Sequence, residues 1–232
     1  MKISKGNKRA VLLGATGLVG SYVLENLLLH PAYAEVVVLG RRKVDLEHPR
    51  LQQHQVDFER LADHAGLLRG DDLFCCLGTT RRQAGSREAF YRVDFTYSFE
   101  AARIAAANQM NQLLVVSSVG ADKDSLFYYS RVKGELEEAL QELDFWSLHL
   151  FQPSVLLGSR NENRWGEQAA GQLGKWIDSI TGGLLSKYRP IEADIVARAM
   201  VTAAQELQGG RHVYPSHQLQ EIAEREQALL KK

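Results

Sequence analysis

Three glycines spaced by two residues, Gly14, Gly17 and Gly20, stand between a short apolar run, Ala10–Leu13, and a stretch of helical apolar periodicity, Leu18–Leu29. The run reads as a buried strand and the stretch as a helix, so the glycines occupy a strand-to-helix turn. Gly14 can supply a tight turn that a Cβ would oppose, Gly17 lets backbone approach a ligand, and Gly20 lets the helix pack close to the strand. The helix start, with Thr16, Leu18 and Val19 beside it, offers unsatisfied N–H groups and a partial positive charge. That cradle suits the pyrophosphate of a dinucleotide; the alternative is a ligand-free β-turn-α corner. A Walker-type loop is excluded because no Gly-Lys-Ser/Thr follows.

The rest of the chain repeats the alternation. Ala10–Leu13, Glu35–Leu39, Gln53–Val56, Leu73–Leu77, Leu113–Ser117 and Trp146–Phe151 read as strands, with His212–Tyr214 as a short seventh. Helices are expected over Leu18–Leu29, Leu61–Leu68, Arg87–Asn108, Ser130–Leu143, Glu167–Ile180, Glu192–Gln205 and Leu219–Leu230. Strands that are apolar throughout and alternate with helices indicate α/β architecture: a doubly wound parallel sheet of Rossmann type. Right-handed crossovers then leave a crevice at the carboxyl ends of the strands, where the strand order reverses. At 232 residues the expectation is one domain, with residues 1–8 as an N-terminal tail, 159–190 as a substrate-side loop and helix, and a small helical cover at the C-terminus.

Lysine plus arginine number 28 and aspartate plus glutamate 28, so there is no global basic field, and neither nucleic acid nor membrane is an expected partner. The apolar run after the basic N-terminal residues is too short for a signal-peptide core or a membrane span. Cys75 and Cys76 are adjacent in an expected strand, where successive side chains point to opposite faces. No stapling disulfide follows, and the expectation is a reducing cytoplasm.

The second strand ends in Gly40-Arg41-Arg42, where an acidic residue would accept a ribose 2′-hydroxyl. Guanidinium groups there can pair with a 2′-phosphate instead, which favours NADP(H) over NAD; the bland alternative is a solvated basic loop. Asp57 and Phe58, after the third strand, are candidates for hydrogen bonding and packing against adenine, although Asp57 equally suits an N-cap. Leu77, Gly78 and Thr79 after the fourth strand can let backbone approach the adenosine half, or form a simple loop.

The fifth strand ends in Ser117 and Ser118, and Tyr128-Tyr129-Ser-Arg-Val-Lys133 follows at a helix start. Tyr129 and Lys133, four apart, share one helical face, so the ammonium can lie near the phenol and lower its pKa for acid–base work. Tyr128, five residues before Lys133, faces elsewhere. A serine hydroxyl can steady a substrate oxygen. Taken alone, a Tyr-x-x-x-Lys pair is usually an ordinary surface pair; its place after a serine-ended strand and a dinucleotide-type turn is what gives it weight.

Together GATGLVG, LGTT, VSS and YSRVK resemble the short-chain dehydrogenase/reductase superfamily, in its extended or atypical branch. More narrowly, LGRRK, VDFERL, CCLGTTR, YRVD, SSVGADKDS and VKGELE are similar to the small NAD(P)H-binding oxidoreductases that include the Tat-interacting protein. The resemblance implies an NADP-binding Rossmann fold, Tyr129 as the acid–base residue and Lys133 touching both nicotinamide ribose and tyrosine. It implies Ser118, with Ser117 as the alternative, as the substrate-polarising hydroxyl. Arg92 and Arg164 look like cofactor-side or substrate-side basic groups, or surface charge; Leu156 would lie near the nicotinamide, and Pro153 is a further cofactor-binding candidate.

Two features depart from the superfamily pattern. Its usual relay asparagine has no counterpart, and Asp94 stands in that neighbourhood; the C-terminal substrate region is also short. The expected activity is hydride transfer to or from a small carbonyl or alcohol. An NADP(H)-responsive binding protein with a protein partner, or an enzyme that oxidises its substrate transiently, are the alternatives, and pairing of two chains through the long helices is left open.

Overall fold

The computed structural model describes residues 3, 5–158 and 189–229. Seven strands form one parallel sheet: β1 (Lys8–Leu13), β2 (Tyr33–Gly40), β3 (Leu51–Gln55), β4 (Asp72–Cys75), β5 (Gln112–Val116), β6 (Ser147–Gln152) and β9 (Gly210–Pro215). Two-residue strands β7 (Leu156–Leu157) and β8 (Ile191–Glu192) pair separately. The order of the large sheet, β3-β2-β1-β4-β5-β6-β9, reverses between β1 and β4 and opens the crevice there.

Alternation along β1 shows how both faces are covered. Ala10 and Leu12 pack with α1 (Leu18–Leu29), α6 (Ala193–Glu206) and α7 (Ser216–Leu229). Val11 and Leu13 face the other way, into a core with Leu61 of the 3-10 segment Phe58–Leu67, Ala101 of α4 (Tyr97–Ala107) and Leu136 of α5 (Tyr128–Gln141). Cys75 joins the second core and Cys76 packs against the first; both are free thiols, and burial pushes each thiol up from its ordinary range.

Three expectations need correction. The 61–68 helix is a 3-10 segment that starts at Phe58 and is kinked at Arg60 and His64. The single helix expected from Arg87 is instead α3 (Arg87–Tyr91), a π turn (Arg92–Thr96) and α4, preceded by the short α2 (Arg81–Ala84). Lys8, expected in the tail, opens β1 and is buried in an ion pair with Asp72, which also accepts from the Tyr33 hydroxyl at 2.6 Å and the Gln112 amide at 2.8 Å. A lysine can sit there because its charge is met by a buried carboxylate and Nζ also donates to the Ala204 carbonyl at 3.2 Å. The expected helix Glu167–Ile180 lies outside the described residues.

Candidate active site

The glycine turn is shaped by close backbone approach. Gly14 has φ +83°, and an added Cβ would lie 2.6 Å from the Cys76 carbonyl carbon and 3.0 Å from the Leu77 nitrogen. The turn therefore fits under the loop leaving β4 only as glycine. A Cβ on Gly20 would stand 2.7 Å from the Gly14 carbonyl carbon and 3.2 Å from the Ala15 Cα, so the first turn of α1 also packs on the strand end only as glycine. Gly17 is the extended N-cap residue, its N–H bonded to the Gly14 oxygen at 2.8 Å, and no side chain caps α1. The first-turn amides, Leu18 and Val19 among them, are left without a side-chain cap, and free amides at a helix N-terminus suit an anion.

A cavity of about 340 Å³ sits over this turn. Its wall joins Gly14, Thr16 and Gly17 to Arg41 and Arg42 after β2, to Phe58, and to Leu77, Gly78 and Thr79 after β4. Four segments far apart in sequence thus meet at the reversal point. Phe58 is held by stacking on Tyr97 at 5.4 Å between centroids. Asp57 does not line the cavity: its carboxylate accepts the Glu59 N–H at 3.0 Å, so the capping alternative describes it. Gln83, Ala84, Ala89, Val93 and Tyr97 also line the wall, and none was singled out from sequence. Their signal is weak because they come from the irregular α2–α3 region and from single positions on helices.

Tyr129 and Lys133 occupy successive turns of α5, the tyrosine 39% exposed and the lysine 3%. Tyr129 packs on Phe90 at 5.7 Å, whereas the Tyr128 hydroxyl turns away to donate to the Arg87 carbonyl at 2.9 Å. Lys133 Nζ lies 2.9 Å from Asp94 Oδ1, and both side chains are buried. Burial pushes the Lys133 ammonium down, but Asp94, then Tyr129 and Cys75, outweigh burial and hold it above the ordinary lysine range. It stays charged. Behind it Glu137, one turn further along α5, accepts the Gln152 amide on both oxygens at 3.0 Å. Burial pushes Glu137 up, with Ser117, Gln152 and Lys133 opposing.

Ser117 is buried against Glu137 and α5, while Ser118 is half-buried at the strand end with its hydroxyl 3.3 Å from the Val119 carbonyl. The loop between the serines and Tyr129 is pressed on α5 at Gly134, where a Cβ would meet the Asp122 Cα at 2.6 Å. That glycine stands in the quoted VKGELE motif, yet its reason is visible only once the loop is folded back. Pro153 is buried and its carbonyl accepts the Val119 N–H at 2.9 Å; Leu156 is half-buried and packs on the first core. Arg92 is not part of the cavity wall. It is 52% exposed, paired with Glu59 at 3.1 Å, and lines a separate pocket with Arg87, Tyr91 and Tyr128. Arg164 lies outside the described residues.

The family model described as the NAD dependent epimerase/dehydratase family matches residues 10–129, which run from β1 to Tyr129. Protein HTATIP2 of Rattus norvegicus is 40% identical over 199 residues, 84% of this chain and 80% of that protein. The chain belongs to the NAD dependent epimerase/dehydratase family. Protein fmp52-1, mitochondrial, of Aspergillus oryzae (strain ATCC 42149 / RIB 40) is 33% identical to this family member over 198 residues, covering 83% of this chain and 84% of its own length. A UDP-N-acetylglucosamine 4-epimerase from Methanobrevibacter ruminantium M1, solved in complex with UDP-N-acetylmuramic acid, superposes with a TM-score of 0.67 at 14% identity, covering 98% of this chain and 83% of that one. MoeE5 in complex with UDP-glucose and NAD gives 0.65 at 16%, covering 88% and 74%. These two likenesses show the fold. The resemblance to short-chain dehydrogenases/reductases is thereby borne out, while the cytoplasmic placement is corrected: fungal relatives from Aspergillus oryzae, Candida albicans and Aspergillus fumigatus are named as mitochondrial proteins.

Proposed function

We propose that this family member is an NADP(H)-dependent oxidoreductase that reduces, or in reverse oxidises, a small carbonyl or alcohol substrate. One observation carries the reading. Gly78 is part of the cavity wall, and a Cβ built on it would lie 4.0 Å from Lys133 Nζ and 3.6 Å from Asp94 Oδ1. The glycine cavity and the Tyr129–Lys133 dyad therefore adjoin through one backbone segment, as a cofactor spanning from phosphates to a reacting ring requires.

The residues fit a dinucleotide. Gly14 and Gly20 let the turn and the start of α1 pack close on the strand ends, the α1 amides suit pyrophosphate, and Arg41 and Arg42 supply two exposed guanidinium groups on the wall for a 2′-phosphate. When bound, the dinucleotide would supply or accept the hydride. Tyr129 then gives the proton to the carbonyl oxygen in reduction, or takes it from the alcohol in oxidation. Lys133, held charged, stabilises the phenolate left after proton donation. Ser118, the more accessible of the two serine hydroxyls, hydrogen-bonds the same oxygen as charge gathers there.

The test is NADPH oxidation against a panel of carbonyls such as 9,10-phenanthrenequinone and benzaldehyde. Tyr129→Phe is expected to lower turnover by about 10²-fold or more while NADPH affinity holds. Unchanged turnover in that variant refutes the assignment. Saturable NADPH binding without turnover of any carbonyl would favour the binding-protein alternative, and bound cofactor without net consumption would favour transient oxidation.

A further inference from the structure

The helical stretch entering α4 is interrupted by the π turn Arg92–Thr96, with Asp94 at its centre. A π turn inserts a residue into the helical repeat and redirects a side chain, and such turns are common at functional sites. Here it sends a carboxylate, 1% exposed, into the space between two elements of the site. Oδ2 accepts the Thr79 N–H at 2.9 Å, on the loop that walls the glycine cavity, and Oδ1 pairs with Lys133 at 2.9 Å.

We propose that Asp94 is the positioning residue of the acid–base dyad, its carboxylate clamping the cofactor-side loop at Thr79 to the Lys133 ammonium on α5. The inference rests on the dyad reading above. An amide here could satisfy the Thr79 N–H but would leave Lys133 without its ion-pair partner, whereas the carboxylate does both. The titratable groups facing Lys133 are Asp94 from the π turn, Tyr129 and Glu137 from α5, and Cys75 from β4. Asp94 alone is in ion-pair contact among these. The carboxylate keeps the lysine charged in spite of its burial, and it keeps the ammonium aligned with the loop against which a cofactor would lie.

Asp94→Asn preserves volume and the acceptor for Thr79 but removes the charge; Asp94→Ala removes both. With 9,10-phenanthrenequinone as the carbonyl, Asp94→Asn is expected to lower kcat by about 10-fold or more with little change in KM, and to move the alkaline limb of the pH–rate profile down by about one unit or more. Asp94→Ala is expected, in addition, to weaken NADPH binding, because the Thr79 loop is released. A wild-type pH profile in Asp94→Asn overturns the proposal.

Thermal unfolding gives a second reading that needs no activity. Asp94→Asn and Lys133→Met each leave one buried partner unmatched, so each is expected to melt below wild type, and the double variant is expected to melt above at least one of the singles. Additive losses overturn the clamp even if turnover is absent throughout. Absence of turnover in wild type with non-additive unfolding would reject the oxidoreductase reading and leave the clamp standing.

Discussion

Replacing Gly20 by alanine sets two physical effects against each other. Gly20 is in the first turn of α1, and alanine in a helix is favoured over glycine by up to about 1 kcal/mol. Against that, the new methyl would lie 2.7 Å from the Gly14 carbonyl carbon and 3.2 Å from the Ala15 Cα. The obstruction is backbone, and the neighbouring face of α1 is buried through Val19, Val23 and Leu24, so the helix cannot tilt away cheaply. A backbone obstruction this close puts the overpacking cost in the upper part of the usual range, about 2–3 kcal/mol, which exceeds the propensity gain. The expected net loss of about 1–2 kcal/mol lowers Tm by roughly 2–8 °C for a chain of this size. Because the shift must pass through the Gly14–Gly17 turn, NADPH affinity should fall as well.

Differential scanning calorimetry with and without NADPH measures both effects. Gly66→Ala is the control: Gly66 is exposed in the 3-10 segment with no heavy atom within 4 Å of its built Cβ, and the variant should melt at or slightly above wild type. A Gly20→Ala protein as stable as the Gly66→Ala control, with wild-type NADPH affinity, would refute the claim that close packing of α1 on the strand end shapes the phosphate cradle.

Two further outcomes follow from buried groups. His149 is buried in β6 among Ser147, Gln112 and Tyr214, and burial, with His212 and Lys8, pushes it down to about 3. Its folded value lies below the unfolded one near 6.5, so its contribution is complete above about pH 6.5 and is lost as pH falls towards 3, up to roughly 4 kcal/mol. Chemical denaturation across that window should show a steeper loss in wild type than in His149→Gln; equal slopes would contradict this origin. Gly134→Ala would force the Asp122–Lys123 backbone off α5, and it is expected to lower turnover more than it lowers NADPH affinity, checked by kinetics and calorimetry on one preparation.

The sheet was legible because its strands are short apolar runs separated by helical periodicity, and burial on both faces leaves little choice of conformation. Expected strands overlap all seven of the large sheet. The 3-10 segment was misread as a helix because Leu61 and Leu68 repeat at a helical spacing, although the segment is set by the Asp57 cap and by Phe58 seated under Tyr97. The π turn was invisible because its cause is tertiary: Asp94 is drawn inward by Lys133 and Thr79, from helices and loops remote in sequence. Short β7 and β8 carry no periodicity at two residues each. At the site, the glycine turn, the arginine pair and the Tyr129–Lys133 spacing could be read because each is local. The sequence marks Asp94 only by the superfamily asparagine it stands near, and Glu137 and Gly134 gain meaning only from what packs against them.

Calorimetric titration of NADPH and NADH into ligand-free protein, with and without the Arg41→Ala/Arg42→Ala pair, tests the central claim most directly. Saturable heat is expected with NADPH, and an advantage over NADH of about 10-fold or more that the double substitution abolishes, since each exposed guanidinium–phosphate contact contributes at the lower end of about 1.5–3 kcal/mol. No saturable heat with either nucleotide would contradict the account.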